Sequence, residues 1–244
     1  FRACFIDPYQ GQLMASYASK KLNAKTAAIL FDNGDPYSSG IADAFEAAAK
    51  ALGMTITNKE GYASKSTDFN SQLTKIKAGN PDVLLLPVYY NDVVLIAKQA
   101  KDQGLTATLL GADGWDGVAA QLDAASADVV KNAYFCSQYS ASSTDPELQA
   151  FLKEYKERYG MDANMFAVLG YDSMFIMADA IDRAGSTDAE AIIAALKTTN
   201  YKGLTGTTTF DSKRNPVREA LITGFEGDSY KFIENFSITT GAEE

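Results

Sequence analysis

In its first half this chain repeatedly runs a short apolar stretch into a polar or aromatic end and then into an amphipathic segment. The instances are AAILFDNGDPY from Ala27, DVLLLPVYYND from Asp82 and TLLGADGWDG from Thr108. Apolar runs followed by helix-period segments are the pattern of βαβ units, and parallel sheets built this way take their ligands at the carboxyl ends of the strands. The polar and aromatic strand ends therefore point to a small-molecule pocket.

The pattern extends along the chain. Thr26 to Asp32 predicts a strand, and Asn33-Gly34-Asp35-Pro36 a turn. Ile41, Ala44, Phe45, Ala48 and Leu52 then recur at helical spacing up to Gly53. Met54 to Ile56 opens a second strand. Ser66-Thr67-Asp68 offers capping oxygens to a helix carrying Phe69, Leu73 and Ile76, which ends at Gly79-Asn80-Pro81. Val83 to Val88 is apolar almost throughout, as expected of a strand covered on both faces. A helix over Val94 to Gln103 and a strand over Thr108 to Gly111 complete four βα units, which predict an α/β fold with a doubly wound parallel sheet.

From Asp145 the grammar changes. Leu148, Phe151, Leu152, Tyr155 and Tyr159 form one helical stripe, and Tyr171, Met174, Phe175, Ala178 and Ile181 a second. A third helix is expected near Ala189 to Lys197. No strand separates these helices, so their apolar stripes call for a sheet that the segment does not itself provide. The end of the chain returns to β structure over Thr207 to Phe210, Leu221 to Phe225 and Tyr230 to Phe236.

Composition removes several function classes. The formal net charge of −9, from 22 Lys and Arg against 31 Asp and Glu, argues against a nucleic-acid partner, which needs a basic face. The chain has no histidine, so imidazole-based catalysis and most zinc sites are excluded. Neither a G-x-S-x-G elbow nor a G-x-x-x-x-G-K-[ST] phosphate loop occurs, and the glycines of GADGWDG have the wrong spacing for a dinucleotide fingerprint. No cofactor is implied. Asp113 and Asp116 form a carboxylate pair open to acid/base work, although neighbouring acids on a loop also serve simply as turn formers. No apolar stretch is long enough to span a bilayer and no signal segment opens the chain, which begins at Phe1. Cys4 and Cys136 allow at most one disulfide, and two small reduced residues are the reading the composition favours.

The stretches DNGDPYSSGIADAFEAAAKALG, DFNSQLTKIKAGNPDVLLLPVYYNDVVLIAKQAKDQG, LLGADGWDG, FLKEYKERYG, LGYDSMFIMADAIDRAGS and GLTGTTTFDSKRNP occur in this order. Together they resemble the type I periplasmic binding proteins, in particular the branched-chain amino-acid (leucine, isoleucine, valine) group that serves ABC importers. The resemblance covers essentially the whole chain. It implies two α/β lobes joined by crossing strands, an amino acid trapped on closure, and a protein that is periplasmic or a cell-surface lipoprotein feeding an ABC permease. It also implies that FRACFIDPYQG is the first crossing between lobes and that most of the first lobe's sheet precedes it. The expected organisation is one complete lobe from residues 1–135 and 204–244, with 136–203 a helical remnant of the other. Apolar stripes orphaned in this way would need a homo-oligomer or a domain swap to cover them.

The resemblance also places a pocket. Tyr37 in DPYSSG and Tyr89 in PVYY match aromatic walls, and Asp113 in GADGW matches the acid that pairs with the ligand's α-ammonium. An ammonium offers three donors, and charge-assisted bonds are strong. Trp115 and Phe166 fall where the side-chain end of the ligand would lie. Each residue keeps a plainer reading: the tyrosines as strand-end caps, Trp115 as core packing, Asp113 as a turn former before Gly114. Family members hold the ligand's α-carboxylate with first-lobe groups outside this chain, so weak or absent binding by the chain alone is expected. The resemblance sets Cys4 and Cys136 on crossing strands that could lie side by side. Two alternatives stay open: a sensory ligand-binding domain of the same fold, and a doubly wound hydrolase or transferase using Asp113 and Asp116.

Overall fold

In a computed structural model of the protein, residues 1–238 are described. They divide into two compact units. The larger comprises Asp7–Ser137 and residues 220–238, and the smaller comprises Phe1–Ile6 and Gln138–Glu219.

The larger unit holds α1 (Asp7–Lys20), β1 (Thr26–Asp32), α2 (Pro36–Ala51), β2 (Thr55–Tyr62), α3 (Asn70–Gly79), β3 (Val83–Leu85), α4 (Tyr90–Asp102), β4 (Thr108–Gly111) and β5 (Ala133–Ser137). After the smaller unit the chain returns to it as strands at Ala220–Glu226 and Ser229–Phe236. These seven strands form one sheet. Five are parallel, in the order Thr55–Tyr62, Thr26–Asp32, Val83–Leu85, Thr108–Gly111, Ala133–Ser137, and the two returning strands extend it antiparallel. The doubly wound reading holds, because helices cover both faces and strands such as AAIL of β1 have no accessible surface on either side. One face packs Ala28, Leu30, Leu84, Leu86, Phe69, Ile96 and Phe135 into a single core.

The structure adds an element that the sequence reading took for part of a lobe crossing: α1. This helix buries Leu13, Met14, Ala15, Tyr17 and Ala18, but also Gln10, Gly11 and Ser16. Gly11 is the reason it fits. A Cβ at that position would stand 2.6 Å from the Ile41 carbonyl oxygen and 2.7 Å from the Phe45 nitrogen of α2, so only glycine permits so close a helix contact. Three smaller boundaries also differ from expectation. The helix near residue 70 starts at Asn70 with Phe69 as its cap residue and no side-chain cap bond; Asp68 accepts from the Asn70 amide at 2.9 Å instead. The helix expected over Val94 to Gln103 begins at Tyr90. Residues 1–6 form no strand, although the chain does pass from the smaller unit to the larger between Ile6 and Asp7, and Cys4 and Cys136 are free.

The smaller unit contains α5 (Pro146–Tyr159), α6 (Met165–Ala184), α7 (Ala189–Lys197) and the strands β6 (Asn200–Gly203), β7 (Gly206–Phe210) and β8 (Pro216–Val217). In chain order the two returning strands are therefore β9 (Ala220–Glu226) and β10 (Ser229–Phe236). The helices are well capped: Asp145, Asn164 and Asp188 each accept from amides of the first turn, and Gly160 and Gly185 close α5 and α6 in the left-handed conformation. The unit's only sheet among the described residues is the antiparallel β6-β7-β8. Residues 204–219 and 1–6, expected with the larger lobe, pack here. Asp172 of α6 accepts from the Leu204 and Thr205 amides at 2.8 and 2.9 Å, and Phe1 meets Phe210 edge-on at 5.0 Å.

Buried residues occupy one face of α6: Met165, Val168, Leu169, Asp172, Ile176 and Ala180. The opposite face carries Phe166, Tyr171, Met174, Phe175 and Met177, all exposed, with Met174 at 69%. A helix that is apolar all round is normally buried all round.

Candidate functional site

Asp35 begins the site. Its backbone is extended and its carboxylate accepts from the Tyr37 amide at 3.0 Å, while Pro36 sets the first helical residue of α2. This cap fixes Tyr37 at the carboxyl end of β1. Tyr89, the extended residue that starts α4, comes from the end of the β3 segment, and its ring stacks on that of Tyr37 with centroids 4.8 Å apart and planes 24° apart. Tyr89 keeps 43% of its surface exposed.

Asp113 follows β4. The chain turns there in a short 3-10 segment, with the Trp115 amide bonded to the Ala112 carbonyl and the Asp116 amide to the Asp113 carbonyl, each at 3.0 Å. The Tyr37 hydroxyl donates to Asp113 Oδ1 at 3.0 Å and accepts from the Gly114 amide at 2.8 Å. A Cβ on Gly114 would lie 2.7 Å from the Tyr37 hydroxyl oxygen, so the arrangement requires glycine there. Tyr37, Tyr89 and Asp113 are thus brought together from the ends of three parallel strands.

Asp113 is only 5% exposed. Burial pushes its carboxyl up to about 6, against the opposing pull of hydrogen bonds from Tyr37 and Gln10. Burial and the adjacent Asp113 raise the Tyr37 hydroxyl well above its ordinary value, so it stays a donor. A buried carboxylate of this kind, beside an aromatic wall, suits a cation, and an ammonium ligand would repay its desolvation.

The other expected residues lie elsewhere. Trp115 is not on the rim: its ring is wholly buried among Phe135 and Phe225, and its indole N–H donates to the Leu86 carbonyl at 2.8 Å. It supports the floor from behind, as its core-packing reading had it. Phe166 belongs to the smaller unit, in the first turn of α6, and is exposed there. Asp116 is buried near Tyr230, whose hydroxyl donates to the Trp115 carbonyl at 3.1 Å and receives the Gly117 amide at 2.7 Å. The two aspartates therefore face different tyrosines.

Sequence reasoning missed Gln10, which comes from α1 and accepts from the Asp113 amide at 2.9 Å. Its signal lay in a segment whose helix went unread. No group of three or more Cys, Asp or Glu among the described residues could hold a metal, and none of the described helices is long and apolar enough to cross a membrane.

Comparison with known proteins agrees with this architecture. A profile of the family described as "Periplasmic binding protein" matches residues 4–227. The leucine-, isoleucine-, valine-, threonine- and alanine-binding protein of Pseudomonas aeruginosa is 25% identical over 87% of this chain and 56% of its own length. The Leu/Ile/Val-binding protein BraC3 of Rhizobium johnstonii is 31% identical over 80% of this chain and 52% of its own. A leucine-binding protein of Thermotoga maritima superposes with a TM-score of 0.84 at 31% identity, over 96% of this chain and 67% of that one. The chain thus spans about half the length of the curated relatives it matches. With its parallel sheet, its strand-end site and a profile match over nearly its whole length, the chain belongs to the type I periplasmic binding proteins of the branched-chain amino-acid group.

Proposed function

We propose that the chain is part of an extracytoplasmic solute-binding protein that captures an amino acid for an ABC importer, and that Asp113 receives the ligand's α-ammonium. The observation that carries this reading is the buried Asp113 carboxyl held by the Tyr37 hydroxyl under the Tyr37–Tyr89 stack. The names of the relatives, which bind leucine, isoleucine and valine, support an aliphatic amino acid as ligand. Tyr37 and Tyr89 would wall the amino-acid backbone, while Trp115 stiffens the strand ends beneath it. Catalysis has no support in this arrangement, since Asp113 and Asp116 answer to separate tyrosines.

The groups assembled here suit the ammonium end of the ligand. Each charge-assisted bond contributes about 1.5–3 kcal/mol, so with these groups engaging the ammonium end alone the chain by itself binds in the millimolar range. The exposed apolar face of α6 supports a second expectation: the isolated chain self-associates through the smaller unit. Amide NMR titration with leucine, isoleucine and valine tests the binding reading. Shifts at Tyr37, Tyr89 and Gly114 with a millimolar Kd, lost in Asp113→Asn, are expected. Unchanged spectra at saturating amino acid, or binding that survives Asp113→Asn, would overturn it; micromolar binding would overturn only the expectation of weakness.

A further inference from the structure

The site contains a buried amide that strand-end geometry does not account for. Gln10 is 1% exposed and sits on α1, driven inward by the close α1–α2 contact at Gly11. Its Oε1 accepts from the Asp113 amide at 2.9 Å and from the Cys136 thiol at 3.3 Å. Two donors on one oxygen fix which end of the amide is which, and they leave the Nε2 end as donor. The same side chain also draws the Asp113 carboxyl toward its charged form. Gln10 therefore holds the Asp113 backbone and acts on its carboxyl, and the thiol of Cys136, itself fully buried at the end of β5, sets the orientation of that hold.

We propose that Gln10 is a positioning residue for the amine-recognising carboxylate: it holds Asp113 facing the ligand and keeps it an acceptor. This rests on the reading of Asp113 given above. A donor amide favours the charged carboxylate, whereas burial and the charge of Asp7 favour the neutral acid, which would present a hydroxyl to an ammonium. The other titratable groups facing Asp113 are Tyr37, a donor to the same carboxyl, and Cys136. Both stay protonated near neutral pH, since both are raised, so Gln10 and Tyr37 are the groups that sustain the acceptor form.

The test follows the Asp113 carboxyl carbon by NMR as a function of pH in the full chain, without ligand. Gln10→Glu keeps the size and the acceptor oxygen but removes the donor; Gln10→Met removes both. In each the Asp113 midpoint rises, by about one pH unit for Gln10→Met and by more for Gln10→Glu, which adds a like charge. In the wild-type protein the Gln10 side-chain amide protons shift with the Asp113 midpoint. This last measurement needs no variant and stands even where a substitution unfolds the chain. An unmoved Asp113 midpoint in a folded variant, or Gln10 amide protons indifferent to the Asp113 titration, would overturn the proposal. If the midpoints move as expected while no amino acid binds, Gln10 still positions Asp113 and it is the ligand reading that fails.

Discussion

In the larger unit, α4 lays Val93, Ile96, Ala97 and Ala100 against the sheet and turns Asn91, Lys98, Lys101 and Asp102 to solvent. In the smaller unit, α6 buries Val168, Leu169 and Ile176 but turns Tyr171, Met174, Phe175 and Met177 to solvent. Both helices are long and well formed, so local propensity does not separate them. The difference lies in what is available to cover them. A five-stranded parallel array supports helices on two faces, whereas a three-stranded antiparallel sheet ending in a two-residue strand covers one side of its helices at most. Secondary structure is thus satisfied in both units, and tertiary burial is complete in one only.

Substitutions sharpen that contrast. Phe135→Ala, in the larger core, should cost about 3–5 kcal/mol in urea unfolding, because its ring meets Trp115, Phe225 and Tyr230 with no solvent to take up the cavity. A cost below about 1 kcal/mol would show the larger unit to be loosely packed. In the smaller unit the cohesive element is polar. Asp172 is 1% exposed and receives the Leu204 and Thr205 amides and the Thr205 hydroxyl. Asp172→Ala strands those donors and should cost about 3 kcal/mol. Cleavage by protease confined to residues 200–210 would show the loss to be local to this unit.

Within the larger unit, stability depends on pH through two carboxylates of opposite sign. The Asp113 carboxyl is raised from 3.8 to about 6 in the folded chain. Between those values the native state holds a proton that the unfolded chain has lost, so stability falls as pH rises through this window and is level above it. The contribution is on the order of 3 kcal/mol. Asp82, bonded to the Lys25 and Thr26 amides, is shifted down and acts with the opposite sign at more acidic pH. Urea midpoints followed from about pH 4 to about pH 7 should decline in the wild type and not in Asp113→Asn; parallel curves would remove the buried-charge account. The smallest effect belongs to the bare face of α6. Phe175→Ser should change stability by about 0.5 kcal/mol or less, yet lower the self-association seen by light scattering. A monodisperse wild-type monomer would contradict the expectation that this face is sticky.

Legibility in the sequence follows the same division. VLLL announced a strand buried on both faces, and DPY and GAD announced strand ends, because apolar runs and turn residues act locally. The strand-end placement of Tyr37, Tyr89 and Asp113 is readable for this reason, and the roles proposed for them rest on the resemblance. The α1 helix was not, since its buried face mixes Gln10, Gly11 and Ser16 with Leu13 and Met14, and the reason for that mixture is contact with α2 and with Asp113. Trp115 offered two readings because a strand-end tryptophan serves as rim or as floor, and only the neighbours Leu86, Phe135 and Phe225 decide for the floor. The place of residues 204–219 depended on the Asp172 carboxylate, a contact 32 residues distant in sequence for Leu204.

The most direct test of the central claim, that Asp113 in the larger unit recognises the ammonium of an amino acid, is an NMR titration comparing leucine with its two halves. These are the amine that lacks the carboxylate and the acid that lacks the amine. The account predicts that the amine shifts Gly114 and Tyr89 about as strongly as leucine does, and that the deaminated acid leaves them unmoved. Equal binding of the acid, or a response to the amine that persists in Asp113→Asn, would contradict it.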